Sequence, residues 1–301
     1  MPQRSNNVIA SDLLLDIYRA YRGKIDSRAP AWGSDKGNVA IDIANRKVQE
    51  WATDPRNKWN SLFEIASQNE VGTVATAGTT TLTGTSTFFT DYNVGDTILV
   101  SGETVRTIAT ITSDTVLTVT VAFSTTASGK TFTRNTIIDT ATTSYNLSRK
   151  FFSSSDYAVV TKTDGSFIEY PIIKAQQRNV LNQSTYVHGS NPKKITFAQT
   201  IDTGIDAATL TVPGYYIPDE ITLATDIVPV DDPNWLVYIV ASELARNDPA
   251  KDDQFPTLAG MANDLYTKMS NANNDTGFLQ LNSIVNNMPQ VSDGPDVDWT
   301  A

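Results

Sequence analysis

The chain contains no cysteine. Disulfides and thiolate metal sites are therefore excluded. Histidine occurs once, as His188, which removes His-pair zinc sites and leaves little basis for histidine catalysis. No apolar run approaches the roughly 18–20 residues needed to cross a bilayer. The short apolar stretch near the N-terminus carries Asp12 and Asp16, so it reads as a helix and not as a signal peptide. Positive charge is also scarce, with 23 Lys and Arg against 33 Asp and Glu, a net charge of -10. Such a chain is a poor general binder of nucleic acid, because phosphate contacts need cations. It suits a surface that nucleic acid must pass without sticking.

What is present is ample core material. Of 301 residues, 40% are hydrophobic, with 5 Trp, 11 Tyr and 11 Phe, enough for one large domain or two smaller ones and against wholesale disorder. Leu13, Leu14, Ile17, Tyr18 and Tyr21 recur at spacings of three and four, predicting a helix over about 11–24 with Ser11 as its cap. Ser34 is placed to cap a second helix, in which Val39, Ile43, Ala44, Val48 and Trp51 share a face.

From about 71 to 134 the chemistry changes. Threonine dominates, charge thins out and the period becomes two. In "TVLTVTVAFS", Leu117, Val119, Val121 and Phe123 point one way, and Val116, Thr118, Thr120 and Ala122 the other. Threonine is β-branched and tolerates a wet pleated face. "TVATAGTTTLT" is echoed about 34 residues later by "TIATITSDTVLT". The stretch reads as a small antiparallel barrel or sandwich inserted into a host domain.

The host resumes with two strands around "KTDGS", where Asp164-Gly165 signals a hairpin. "KKITFAQTIDTGIDAATLTVPGYY" reads as two more strands joined near Gly204, with the terminal helices as cover. In "VDDPNWLVYIVASELARND", Asp232 is placed as N-cap and Pro233 at the first helical position. Apolar residues then run nearly all round, from Trp235 to Leu244, so this helix is buried in a core or between subunits. A last helix carries Phe255, Leu258, Ala262, Leu265 and Met269. The fold class is α+β, divided as 1–70, the insertion 71–134, a β region with the C-terminal helices over 135–272, and an extended arm over 273–301. That arm is polar and Asn-rich, yet it carries Phe278, Leu279, Leu281, Ile284, Val285, Met288 and Trp299, which a disordered tail has no need of.

Catalytic motifs are thin. "IDTGIDAA" contains the Asp-Thr-Gly of aspartic proteases, but the chemistry needs two carboxylates sharing a proton, and the motif occurs once, at Asp202. "ASGKTFT" imitates the end of a phosphate-binding loop, but Ser124 stands where a glycine is required. Asp248, Asp252 and Asp253 lack the alternating spacing of a calcium loop. The sequons at Asn146 and Asn182 are incidental without a secretory signal. No catalytic, cofactor-binding or metal-binding residues are assigned, and the chain is not read as an enzyme.

The order of two N-terminal helices, a β region opened by "YNLSRKF", and "TLTVPGYYIPDEITLATDIVPVDDPNWLVYIVASELARND" resembles the head-to-tail adaptor (connector) proteins of tailed bacteriophages. The similarity centres on Leu210 to Asp248, with the Tyr215-Tyr216 pair, the acidic-proline turn before Pro233 and the Trp235 helix. "DYAVVTKTDGSFIEYPI" follows more loosely, and the threonine stretch falls outside. The resemblance implies a helical adaptor domain assembled as a ring, usually of twelve copies, below the portal of the virion. Such a ring extends the DNA channel without sequence-specific binding and meets tail or nozzle proteins, with no membrane and no cofactor. It also implies a C-terminal segment that grips the portal. On position, Phe278, Leu281, Ile284, Val285 and Trp299, with Trp235, are the candidate contacts to the portal or a neighbouring subunit. The alternative is another phage tail or receptor-binding component whose β module binds carbohydrate, with Phe88, Phe89, Tyr92 and Phe123 as the aromatics to inspect.

Overall fold

The computed structural model describes residues 8–24, 28–65, 69–177, 184–198 and 203–286, with side chains to 274. The chain is α+β, and it divides into two compact units. One comprises the residues up to Asn60 together with those from Asp219; the other is Ser61–Pro218. The boundaries expected at 71 and 134 are thus displaced. The threonine stretch is not separate from the strands that follow it, because both share one sheet.

The first unit is helical. Helix α1 (Ala10–Arg22) buries Leu13, Leu14, Ile17 and Tyr18 and ends on Gly23 in the left-handed conformation, φ 65°. Its N-cap is Ile9, without a side-chain bond, and not Ser11. Ile9 is instead held by a bridge to Ile227. Helix α2 (Asp35–Ala52) is capped as expected by Ser34, whose hydroxyl accepts from the Gly37 amide. It buries Ile43, Ala44, Val48 and Trp51, but leaves Val39 exposed. Helix α3 (Pro233–Arg246) starts at Asp232, which accepts from the Asn234 amide. Trp235, Leu236, Val237, Val240 and Ala241 are all buried. Helix α4 (Phe255–Asn286) packs against α3 through Leu258, Ala241 and Ala245.

The second unit is antiparallel throughout its ladders. Strands β1 (Phe63–Glu64), β2 (Thr73–Ala77), β3 (Thr81–Thr85), β4 (Thr97–Val100), β5 (Arg106–Ser113), β6 (Val116–Val119), β7 (Thr126–Lys130) and β8 (Phe132–Ile137) come first. They are followed by β9 (Ser144–Asn146), β10 (Phe151–Ser154), β11 (Tyr157–Thr161), β12 (Phe167–Pro171), β13 (Thr185–His188), β14 (Lys194–Phe197), β15 (Thr209–Thr211) and β16 (Gly214–Tyr216). Ten of them form one sheet in the order β12-β11-β15-β8-β4-β5-β6-β3-β2-β7. Two three-stranded sheets, β1-β16-β10 and β13-β14-β9, complete the unit.

The threonine stretch is a closed barrel. Ahead of β2, Asn69 bridges Thr133 and the Glu70 amide donates to Phe132 O, so β8 joins both ends of the run from β4 to β2. Its interior holds Val74, Leu82, Phe89, Ile98, Ile108, Leu117 and Phe132. Thr81, Thr83 and Thr85 of β3 alternate outward into water. This explains the composition: one face is core, and the other needs β-branched residues content in solvent. The internal echo is structural too. Leu82 and Leu117 occupy equivalent places in the two repeats, and they face each other across β3 and β6, both fully buried. Val121 breaks the expected alternation and is exposed, because β6 ends at Val119.

β8 also pairs with β15, and so leads into a second core of Tyr145, Phe151, Val160, Tyr170, Ile195, Phe197 and Leu210. This core is built from residues of the unit's own strands and loops. The hairpin at Asp164-Gly165 is present, with Gly165 at φ 85°. The strands on either side of Gly204 do not pair with each other. β14 lies between β13 and β9, and β15 between β11 and β8. Gly214 is required by packing, since a Cβ there would stand 2.4 Å from Ser153 O.

Two expectations follow. All five tryptophans fall outside Ser61–Pro218, so their emission reports the helical unit. Expressed alone, Ser61–Pro218 should unfold in urea as one cooperative transition followed by far-UV circular dichroism. A broad, non-cooperative loss of signal would count against the division. Glu103 in turn clamps a corner of the barrel, accepting from the amides and hydroxyls of Ser124 and Thr125 at 2.6–3.0 Å. The Thr125 hydroxyl first, then the Ser124 amide, lower its pKa to about 2. A depressed carboxylate stabilises the fold above its ordinary pKa and loses that contribution as pH falls to the folded value. Wild type should therefore lose stability relative to Glu103→Gln between about pH 4.5 and 2, read from urea midpoints at each pH.

Candidate functional site

In the helical unit, the segment 54–60 and helix α4 are tied by polar side chains. Tyr266 donates its hydroxyl to Asp54 and accepts from Asn57 Nδ2 at 3.1 Å. Ser270 donates to Asn57 Oδ1 at 2.7 Å, and Asn273 accepts from the Asn60 amide and donates to Lys58 O, each at 2.9 Å. Residues 266, 270 and 273 recur at helical spacing, so one face of α4 makes all these contacts. Arg56 first, with Tyr266, holds the Asp54 carboxyl well below the usual carboxylate range. Beneath lie Trp51 and Trp59, with ring centroids 5.1 Å apart, and Tyr266 stands against both Trp59 and Trp235.

This places the candidate contact residues. Trp235 is only 6% exposed and belongs to this aromatic core; it is spent within its own chain. Phe278, Leu281, Ile284 and Val285 lie on the continuation of α4, whose helical backbone runs to Asn286. The arm expected to be extended from 273 is thus helical over its first half. Trp299 lies outside the described residues, as does Asp202. Nearby, Thr203–Ile205 forms a single turn and Asp206 accepts from the Thr140 amide, a loop between strands. Lys130 ends strand β7, paired with β2, where a phosphate loop would need a helix to follow. Asp248 accepts from the Tyr21 hydroxyl at 2.5 Å and from the Ala250 amide, so it serves the turn between α3 and α4.

Sequence reasoning missed a buried ion cluster in the β unit. Arg134 on β8 is 6% exposed, Glu70 7% and Asp96 fully buried. Arg134 donates to Asp96 at 3.1 Å and to Asn146 O at 2.9 Å, and stands 3.5 Å from Glu70. Its guanidinium also covers the Tyr92 ring at 4.5 Å. Asp96 accepts in addition from the Asn93 and Ile137 amides, and Glu70 from the Ser148 hydroxyl. Burial opposes the charge on Arg134, but the two carboxylates overcome it and raise its pKa. The only cue in the sequence was a lone arginine in "FTRNT", which does not name its partners.

A shallow pocket opens beside this cluster, lined by Glu70, Val71, Phe88, Asp91, Tyr92, Leu147 and Arg149. An aromatic and acidic lining is what holds a cation. Here Arg149 supplies it, bonded to Asp91 at 2.6 Å and lying 3.6 Å over Phe88. The arrangement fastens strands and leaves no carboxylate pair free to share a proton. Of the aromatics in the carbohydrate alternative, Phe89, Tyr92 and Phe123 are core and Phe88 is covered by Arg149. No group of three or more His, Asp or Glu that could hold a metal occurs among the described residues. No described helix is long and apolar enough to cross a membrane.

Replacing Arg134 by Met should cost about 3–5 kcal/mol, since it strands two buried carboxylates. Adding Glu70→Gln and Asp96→Asn should recover part of that loss. Urea denaturation of Ser61–Pro218 measures both. Comparison with protein-family models finds no match for the chain, and comparison with curated proteins finds no significant one.

Proposed function

We propose that the chain is a structural protein of a virion: a head-to-tail adaptor that forms a ring below the portal, extends the DNA channel and joins head to tail. The observation that carries this reading is α4. One face of the helix grips residues 54–60 of its own chain at 266, 270 and 273. The backbone then continues as helix to Asn286, about 20 Å further. Between Asp275 and Asp293 no residue is charged, and Phe278, Leu281, Ile284 and Val285 are apolar. A helix that outruns its anchor and turns apolar is suited to docking on another chain. At heptad spacing, Phe278, Leu281 and Val285 make too short a repeat for an autonomous coiled coil, which needs three or more heptads, so they call for a surface already formed.

Charge supports the same reading. From Asp219 onward there are 14 acidic residues against three basic, a composition that repels phosphate and suits a channel wall past which DNA slides. The saturated ion cluster of the β unit supports a structural role in preference to a reactive one.

Truncation after Asn274 keeps the Asn273 contacts and removes the helical continuation. The shortened protein, which also loses Trp299, should fold with an unchanged urea midpoint followed by far-UV circular dichroism and fail to co-sediment with portal. Binding as tight as that of the full chain would sink the proposal that joining the portal depends on this segment.

A further inference from the structure

Strands β12, β11 and β15 turn one face to solvent. The ladder sets Tyr157 opposite Pro171, Val159 opposite Glu169 and Thr161 opposite Phe167, with Thr209 and Thr211 beyond on β15. Successive residues alternate faces, and Ala158, Val160, Tyr170 and Leu210 fill the core behind. On the outer face Phe167 is 63% exposed and Tyr157 39%, beside exposed Pro171 and half-buried Val159. Glu169 is the one charge in this patch. Exposed aromatics grouped with aliphatics and little charge are the composition of an interface centre.

The edge beside this face resists an added strand. Lys162 bonds to Ser166 and Ile172 to Asp156, so Phe167, Glu169 and Pro171 direct their backbone groups away from β11. Pro171 has no N–H there, and a charged residue stands next to it, both of which discourage strand addition. What docks must lie on the face. Two strands of five residues and one of three offer roughly 10 Å across and about 17 Å along the longer pair, which accepts a helix about 10 Å wide over eight residues, or about 12 Å. The stretch from 278 to 285 has that length, has no charge to meet Glu169, and is too short to pair as a coiled coil.

We propose that the continuation of α4, residues 278–285, docks on the β12-β11-β15 face of a second copy of this chain. The inference rests on the adaptor reading and assigns its subunit contact: the segment holds neighbouring copies together, and the assembled ring, not the single chain, holds the portal, so truncation loses both. The contact is heterologous, one copy giving a helix and the next a sheet face. A heterologous contact is the kind that builds a ring when its rotation closes.

The absence of native cysteine makes the test clean. Thr161→Cys and Asn282→Cys are prepared as two separate full-length proteins, mixed, and treated with a short bismaleimide. The expected result is a covalent two-chain product formed from the mixture and not from either variant alone. Adding Phe167→Asp to the Thr161→Cys protein should reduce the product about thirtyfold, the loss of one aromatic anchor, with far-UV circular dichroism unchanged. No two-chain product, a product indifferent to Phe167→Asp, or cross-linking only within a doubly substituted chain would overturn the proposal. If portal co-sedimentation survives that result, the adaptor reading stands without this contact. If the full chain neither self-associates nor co-sediments with portal, the reading and the inference fall together.

Discussion

Arg134 sits where four parts of the β unit meet: the segment ahead of β2, the start of β4, strand β8 that carries it, and β9 through Asn146 O. An unpaired guanidinium could not be held at that depth, because desolvating it costs several kcal/mol. Two carboxylates must therefore be present, and they too must be satisfied. Asp96 does this by taking amides from Asn93 and Ile137, Glu70 by taking the Ser148 hydroxyl. Each bond fixes a backbone segment as well as a charge. The cluster thus sets where the barrel closes and where β8 leaves it to pair with β15.

β8 is the reason the threonine stretch cannot be treated as a removable insert. Its residues wall the barrel through Phe132 and then supply Thr136 and Ile137 to β15. Excision between 72 and 133 would take away β4, which holds the other side of β8, and leave Arg134 without Asp96. The two cores of this unit are coupled through one strand, so the cut that separates bodies in this chain lies further out, at Asn60 and Pro218.

In the helical unit the corresponding constraint is the grip of residues 54–60 on α4. Polar contacts at 266, 270 and 273 alternate with buried Ala262 and Met269, so the helix is fixed in rotation as well as position. Rotation decides which residues lie on which face beyond Asn273. A tail read from sequence as extended is instead, as far as Asn286, a continuation of that helix. Trp235 shows the opposite outcome. Its apolar surroundings suited either a core or a subunit contact, and Tyr266 settles it in the core.

Local chemistry by itself determined much of this protein. Ser34 and Asp232 fix helix starts because their side-chain oxygens satisfy amides nearby in the chain. Asp164-Gly165 fixes a hairpin because the turn needs positive φ. Period-two threonine fixes a sheet with one wet face, and the internal echo foretells two hairpins. Tertiary structure alone decided which strands pair. Ladder bonds are between backbones and carry no residue code, so β14 and β15, neighbours in sequence, could be parted without any local signal. It also decided that Glu70, Asp96 and Arg134 meet, from positions 26 and 38 residues apart along the chain, and that Phe167 stays in solvent while Tyr170, three residues on, is buried. Burial and charge pairing depend on what the rest of the chain brings alongside, and periodicity within one segment contains no record of that.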